Sequence, residues 1–178
     1  MSAKVLIDSR NAGRKNRRSA AVALIIGLLL TSSLAYAVPP GGTRPFRVID
    51  RNGSLVGYTV TENLVAREIN NHWVSFYVHT GLGIFDSEAI YVYYATTDCS
   101  GTRYLPHYSM FAEGTRVGNL LYYPVGQEVL TPLSLRVAYG GGQEGPCHAV
   151  PEVRGVYGTA ATVGVDSFGL TLPFRAVQ

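Results

Sequence analysis

The sequence contains few of the residues that reactive thiols and metal sites require. Only two cysteines occur, Cys99 and Cys147, and the four histidines show none of the short spacings at which one helix or strand presents two metal ligands. A metal site would have to be assembled from separate strands, and ordinary surface histidines are the interpretation that the spacing favours. We therefore predict no metal site and no bound cofactor.

Motifs for nucleotide binding and nucleophilic catalysis are also missing. No glycine-rich phosphate loop follows an apolar run, and neither Asn52–Gly57 nor Asp98–Gly101 matches the G-x-S-x-G elbow of serine hydrolases. The acids best placed for hydrolysis are Asp86 and Glu88, which lie in a glycine-rich loop. We predict no catalytic residues and no enzyme activity. A hydrolase whose site is assembled from scattered residues is the alternative.

The first 37 residues have the pattern of a secretory signal peptide. A basic segment, Met1–Arg18, precedes an uninterrupted apolar run, Ala20–Leu30, and small residues follow at Ala35 and Ala37. We expect cleavage after Ala37 and export to the periplasm or the extracellular medium. The alternative is an uncut leader that anchors the chain by a single span, with the C-terminal domain outside.

The positive charge of the chain belongs to this leader. Of the 15 basic and 12 acidic residues, six basic and one acidic residue precede residue 38, which leaves nine and eleven and a net charge of −2. The remainder contains no lysine. The basic balance is therefore a targeting feature, and we predict no nucleic-acid partner and no membrane contact other than through an uncut leader.

The remaining chain has the length of one domain. Val38–Pro45 is rich in proline and glycine and is predicted to be a linker, so the domain spans 46–178. Two cysteines in an exported chain indicate one disulfide, between Cys99 and Cys147, with two buried free thiols as the alternative.

Short apolar runs separated by turn residues predict an all-β domain. Trp73–His79 alternates, with Val74, Phe76 and Val78 on one face, and Ala89–Ala95 is apolar on both faces, as in a central strand. In Leu133–Tyr139 the odd-numbered residues are predicted to face inward. We predict about nine short strands in an antiparallel sandwich or a partly closed barrel, after an N-terminal signal helix.

Two stretches resemble a group of exported bacterial domains of unknown function. Val48–Gly57, VIDRNGSLVG, matches their Asn-Gly hairpin, and Thr97–Leu105, TDCSGTRYL, matches their Asp-Cys-Ser/Thr-Gly corner. The resemblance covers about sixty residues, and a second cysteine lies farther along the chain in both. It implies an extracytoplasmic β domain with a disulfide, and it implies no activity and no functional residues.

Aromatic residues are the one enrichment that has a functional interpretation. Eleven tyrosines follow the leader, including the pairs Tyr93-Tyr94 and Tyr122-Tyr123. Neighbours in a strand face opposite ways, so we predict that one tyrosine of each pair lies outside. Trp73, Tyr77 and Tyr91 are the candidate ligand-stacking surface, and cross-strand packing is the alternative interpretation.

The sequence therefore predicts a non-catalytic exported structural or interaction domain. A carbohydrate- or small-ligand-binding sandwich that uses the exposed aromatic residues is the alternative from a different class. The partner is not defined by any motif, and a cell-surface glycan or protein fits both hypotheses.

Mass spectrometry of the exported protein tests the leader and the cysteine pair together. We expect a chain of 141 residues that begins at Val38, because removal of 37 residues from 178 leaves that length. Reduction should add the mass of two hydrogen atoms. A mass that includes the leader would favour the anchored alternative, and an unchanged mass after reduction would contradict the disulfide.

Overall fold

The computed structural model describes residues 45–151 and 154–178. The predicted leader, its signal helix and cleavage site, and residues 38–44 of the predicted linker lie outside the described residues, so these features and the domain boundary stay predictions. None of the described residues forms an α-helix. Two 3-10 turns occur, Gly140–Gly142 and Val165–Phe168.

The described chain forms two seven-stranded sheets. The first sheet contains β1 (Arg47–Ile49), β2 (Leu55–Thr59), β3 (Leu64–Ile69), β4 (His72–His79), β5 (Gly83–Ile84), β8 (Ala112–Glu113) and β14 (Arg175–Val177). The second contains β6 (Ala89–Tyr94), β7 (Tyr104–Pro106), β9 (Thr115–Val117), β10 (Leu120–Leu130), β11 (Ser134–Tyr139), β12 (His148–Ala149) and β13 (Gly155–Gly164).

The all-β prediction is confirmed, and the number of strands is higher than predicted. The neighbours pair antiparallel throughout, except that β8 runs parallel to β4. Half of the fourteen strands have only two or three residues. A strand of that length carries too few residues to show a period of two, so sequence patterns do not reveal it.

The first hydrophobic core lies between the two sheets. Val56, Val74 and Phe76 of the first sheet pack in one cluster with Leu121 and Tyr123 of β10. All five are at most 1% exposed. Each such side chain contributes roughly 1.5–3 kcal/mol of hydrophobic stabilisation, and this cluster fixes the first sheet on β10.

The second core lies inside the second sheet, which curls into a half-barrel. Tyr122 of β10 points to this core, opposite to its neighbours, and packs with Val92 and Leu105. A hydrogen bond links the segment before β6 to the turn between β9 and β10. The Asp86 carboxylate accepts it from the Gly118 amide at 2.9 Å. Both members of the pair Tyr122-Tyr123 are therefore buried, and the prediction that one of them lies outside is wrong.

Strand β11 presents the face opposite to the one predicted from its alternation. Ser134 and Ala138 are fully buried, whereas Tyr139 is 45% exposed and Leu135 and Val137 are half-exposed. Ser134 tolerates burial because its hydroxyl donates to the Thr96 carbonyl at 2.6 Å and accepts from the Cys99 amide at 3.1 Å. The apolar side chains of β11 consequently lie on the outside of the half-barrel.

The predicted pairing of the two cysteines is confirmed. The sulfur atoms of Cys99 and Cys147 are 2.10 Å apart, and the bond joins the corner between β6 and β7 to the segment before β12. The two residues are 48 positions apart in the sequence. The loop-entropy model gives a stabilisation of about 4 kcal/mol for a loop of that length.

Asp50 organises the turn between β1 and β2. Its side chain is fully buried and accepts hydrogen bonds from the Asn52 and Ser54 amides, while its second oxygen accepts one of 2.9 Å from the Thr171 amide. Burial alone would raise the pKa of this carboxyl, but the backbone hydrogen bonds outweigh it and lower the pKa. The carboxylate thus ties the Asn-Gly hairpin to the C-terminal segment.

The pair β10–β13 gives a stability prediction with a control on the same strand. A Cβ at Gly158 would lie 2.6 Å from the Gly126 carbonyl oxygen, whereas a Cβ at Gly164 meets nothing within 4 Å. We expect Gly158→Ala to lower the free energy of unfolding by about 1–3 kcal/mol through steric strain. Gly164→Ala should change it by less than about 0.5 kcal/mol. Equal effects in chemical denaturation would contradict this close approach of the two strands.

The hydrogen bonds of Asp50 predict a defined pH dependence. Because the folded pKa lies below its ordinary value of 3.8, the stabilisation by the carboxylate should be complete above that value and disappear as the pH falls through the folded pKa. Asp50→Asn should therefore be less stable than the parent at neutral pH, and the difference should shrink in acid. Glu128→Gln, an exposed change on β10, is the control. A difference that is the same at every pH would contradict the assignment.

Candidate binding site

The outer face of the first sheet, which points away from the first core, carries an apolar cavity. Its volume is about 510 Å³. Its lining residues are Pro45, Tyr58, Thr59, Val60, Ala66, Trp73 and Phe111. We call this the aromatic pocket.

The strand register explains why these side chains meet. Tyr58 of β2 is the partner of Ala66 on β3, and Ala66 is the partner of Ser75 on β4, so these residues share one face with Trp73. Ala66 is small, which leaves a depression between the larger rings. The ring centroids of Tyr58 and Trp73 are 6.2 Å apart and their planes are inclined by 53°.

Phe111 supplies the third ring of the aromatic pocket. Strand β8 pairs in parallel with β4, with Ala112 beside Val74 and Glu113 beside Ser75. Phe111 immediately precedes β8, and its side chain lines the pocket. Trp73 remains 46% exposed and Phe111 is half-buried, so the pocket is open to solvent.

The aromatic surface continues along β4 beyond the pocket. Tyr77 is 51% exposed and Phe85 is 63% exposed. The Phe85 amide donates to the Tyr77 carbonyl at 2.9 Å, so the antiparallel pairing of β4 and β5 extends to this position and the two rings share the outer face. Exposed aromatic residues that lie together on a sheet indicate a binding surface.

Charged side chains flank the aromatic pocket, and none of them is among its lining residues. Glu68 of β3 is the partner of Trp73, and Glu113 of β8 is the partner of Ser75; both are exposed. Arg47 of β1 is the partner of Tyr58 on the other side. The surface that lines the cavity is almost entirely apolar. Two of its residues carry hydroxyl groups, Tyr58 and Thr59, and the Thr59 hydroxyl accepts a hydrogen bond from the Phe46 amide at 3.1 Å.

A second aromatic surface covers the outside of the half-barrel. Its members share the face opposite to Val92 and Ala138, and no charged side chain is among them. They are Tyr91 and Tyr93 of β6, Tyr104 of β7, and Leu135, Val137 and Tyr139 of β11. We call this the tyrosine face. Tyr91 is 58% exposed, whereas Tyr94, which points to the second core, is 3% exposed.

A buried phenol adjoins the tyrosine face. The ring of Tyr157 lies 5.3 Å from that of Tyr93, centroid to centroid. Burial, and then the neighbouring Tyr108 and Tyr93 hydroxyls, raise the pKa of Tyr157 to about 12. This hydroxyl consequently stays protonated at neutral pH and acts there as a hydrogen-bonding group.

The three residues predicted to form one stacking surface belong to two surfaces. Trp73 and Tyr77 share the outer face of the first sheet, and Tyr91 lies on the second sheet. Sequence reasoning missed Tyr58 and Phe111. A regular alternation would put Tyr58 on the same face as Val56, which is in the core. The β1–β2 pairing has a register shift at Val56, and Tyr58 therefore lies on the outer face. This irregularity is not visible in the sequence, and Phe111 lies in a stretch predicted to be a loop.

Of the two acids considered for hydrolysis, Asp86 has structural contacts, and Glu88 is exposed next to the start of β6. The Asp86 carboxylate accepts from the Gly118 amide and lies 3.8 Å from the guanidinium of Arg116. Side-chain hydrogen bonds from Ser100 and Thr96 lower the pKa of Asp98 in the cysteine corner. Across the described ranges, no three histidine, cysteine, aspartate or glutamate side chains are grouped as metal ligands would be.

Comparison with protein-family models, curated proteins and solved structures identifies no match for this chain. The interpretation of the site therefore depends on its own residues. Among residues 45–151 and 154–178, no helix has the length and apolar character needed to cross a bilayer.

Proposed function

We propose that the protein is a non-catalytic, exported binding domain. Its ligand or partner inserts an apolar group between Tyr58, Trp73 and Phe111. The observation that carries this proposal is the open pocket of about 510 Å³, lined by three aromatic side chains, on the outer face of the first sheet. A concave apolar site of this volume is within the range of small-ligand pockets.

The chemistry of the wall favours an apolar group over a sugar. A sugar ring in the pocket would lose water from its hydroxyl groups, and the wall offers almost no donor or acceptor in exchange. An unpaired buried polar group costs about 1–3 kcal/mol. Apolar groups avoid this cost, and they gain roughly 25 cal/mol for each Å² removed from water.

The structural uses of the carboxylates support a non-catalytic role. Catalytic acids and bases near neutral pH are commonly carboxyls whose pKa is raised by burial or by a like charge. Here Asp50 and Asp98 have lowered pKa values because their carboxylates accept hydrogen bonds inside turns. Such groups remain charged and stabilise the fold.

The disulfide supports export. Structural disulfides persist in oxidising compartments and are rare in reducing ones. The bond between Cys99 and Cys147 is therefore consistent with the signal pattern of residues 1–37. The periplasm and the extracellular medium are both compatible with it.

The tyrosine face favours a second candidate, binding of a glycan. It combines ring faces with the phenol hydroxyl groups of four tyrosines, Tyr91, Tyr93, Tyr104 and Tyr139, so stacking on a sugar and hydrogen bonding to it are both available. Tyr91 and Tyr139 are its most exposed members. This candidate differs from the first in the surface used and in the class of ligand.

The single tryptophan of the chain provides a direct test, because Trp73 lines the aromatic pocket. We expect the neutral fluorophore N-phenyl-1-naphthylamine to bind saturably and to quench the emission of Trp73. Ala66→Leu should weaken this binding about tenfold or more by filling the floor of the pocket. Tyr91→Ala, which removes an exposed ring from the other sheet, should leave it unchanged.

Two results would contradict the first proposal. One is the absence of saturable binding of the fluorophore to the folded parent protein. The other is equal binding by the parent and Ala66→Leu. Saturable binding of a soluble β-linked oligosaccharide that is lost in Tyr91→Ala and retained in Ala66→Leu would establish the second candidate instead.

A further inference from the structure

We infer that the aromatic pocket selects an organic cation, a quaternary ammonium group carried on an apolar body. This inference rests on the proposed function and names the class of ligand. It depends on three observations: the arrangement of the rings, the charges at the rim, and the lack of hydrogen-bonding groups in the wall.

Three aromatic rings line one cavity, which suits a cation. A cation is attracted to the face of an aromatic ring when it lies within about 6 Å of the centroid, and tryptophan is the strongest partner. The Tyr58 and Trp73 centroids are 6.2 Å apart and both rings line the cavity, so a cation held there can lie within that distance of both. Phe111 adds a third ring to the same cavity.

The charges at the rim favour a cation. Glu68 lies on the strand next to Trp73 on one side, and Glu113 lies on the strand next to β4 on the other. Arg47 lies at the opposite edge of the pocket, as the partner of Tyr58 on β1. The rim therefore carries two carboxylates against one guanidinium, and the charged residue directly beside Trp73 is Glu68.

The apolar wall distinguishes a quaternary ammonium from a primary one. A primary ammonium has three N–H donors that would lose their water and find almost no acceptor in the wall. A quaternary ammonium has no N–H group and presents methyl groups to the rings. The remaining volume accepts the apolar body along Val60 and Pro45.

A pair of isosteric probes separates charge from shape. Choline carries a trimethylammonium group, and 3,3-dimethylbutan-1-ol has the same shape with a neutral carbon in place of the nitrogen. We expect choline to bind about 5- to 30-fold more tightly in ligand-observed NMR titrations at matched ionic strength. Added sodium chloride should weaken the binding of choline and leave that of the alcohol unchanged.

Three variants test whether the preference for choline depends on the Trp73 ring and on the Glu68 carboxylate. Trp73→Leu keeps an apolar wall and removes the strongest ring, so it should weaken choline about fivefold or more while N-phenyl-1-naphthylamine still binds within a few-fold of the parent. Glu68→Gln should weaken choline and reduce its salt dependence. Glu128→Gln removes an exposed carboxylate from the second sheet and should have no effect.

The outcomes separate this inference from the proposed function. Equal affinity for choline and its neutral isostere, or no binding of choline by a protein that binds the fluorophore, would overturn the selection of a cation and leave the apolar site intact. Failure of the fluorophore as well as of choline would overturn both. Preference for choline that survives Trp73→Leu would also contradict the inference.

Discussion

The first half of strand β10, Leu121–Pro124, is buried on both faces, and the rest of the structure depends on this constraint. Leu121 and Tyr123 point to the core between the sheets, while Tyr122 points into the half-barrel. One strand therefore joins the two cores, and it pairs antiparallel with β13 from Leu120 to Val125 without a register shift. Leu121, Tyr122 and Tyr123 have no face left for solvent, which is why three consecutive large side chains are apolar or aromatic and fully enclosed.

This arrangement leaves other sheet faces uncovered, and these are where the binding surfaces lie. The first sheet uses one face to cover β10, so Trp73 and Tyr58 lie on the face that remains. The second sheet curls around its own core, so the outside of β6 and β11 remains open. Both faces carry aromatic residues, and they differ in chemistry. The aromatic pocket has an apolar lining and charged neighbours, two glutamates and one arginine, whereas the tyrosine face has four phenol hydroxyl groups and no charged member.

The features that depend on local sequence were predictable. The alternation of Trp73–His79 gave the correct faces because β4 has one covered and one open face, and the cysteine pairing followed from the residue count and the leader. Features that depend on which strands are neighbours were not predictable. The apolar residues of β11 lie outside because Ser134 satisfies its hydroxyl inside, and Tyr58 and Phe111 reach Trp73 only through the pairings of β2, β3 and β8. An alternation of side chains with a period of two assigns the residues of a strand to two faces, but it does not show which face the rest of the protein covers.

Laser-polarised NMR, in which a photoexcited dye enhances the signals of exposed tyrosine and tryptophan side chains, tests this account most directly. Signals from Trp73, Tyr77 and Tyr91 should be enhanced, because these side chains are 46–58% exposed, whereas Tyr94, Tyr122 and Tyr123, at most 3% exposed, should give none. Enhancement of either Tyr122 or Tyr123 in the folded protein would contradict the burial of the first half of β10 on both faces, and the absence of a Trp73 signal would contradict the open pocket.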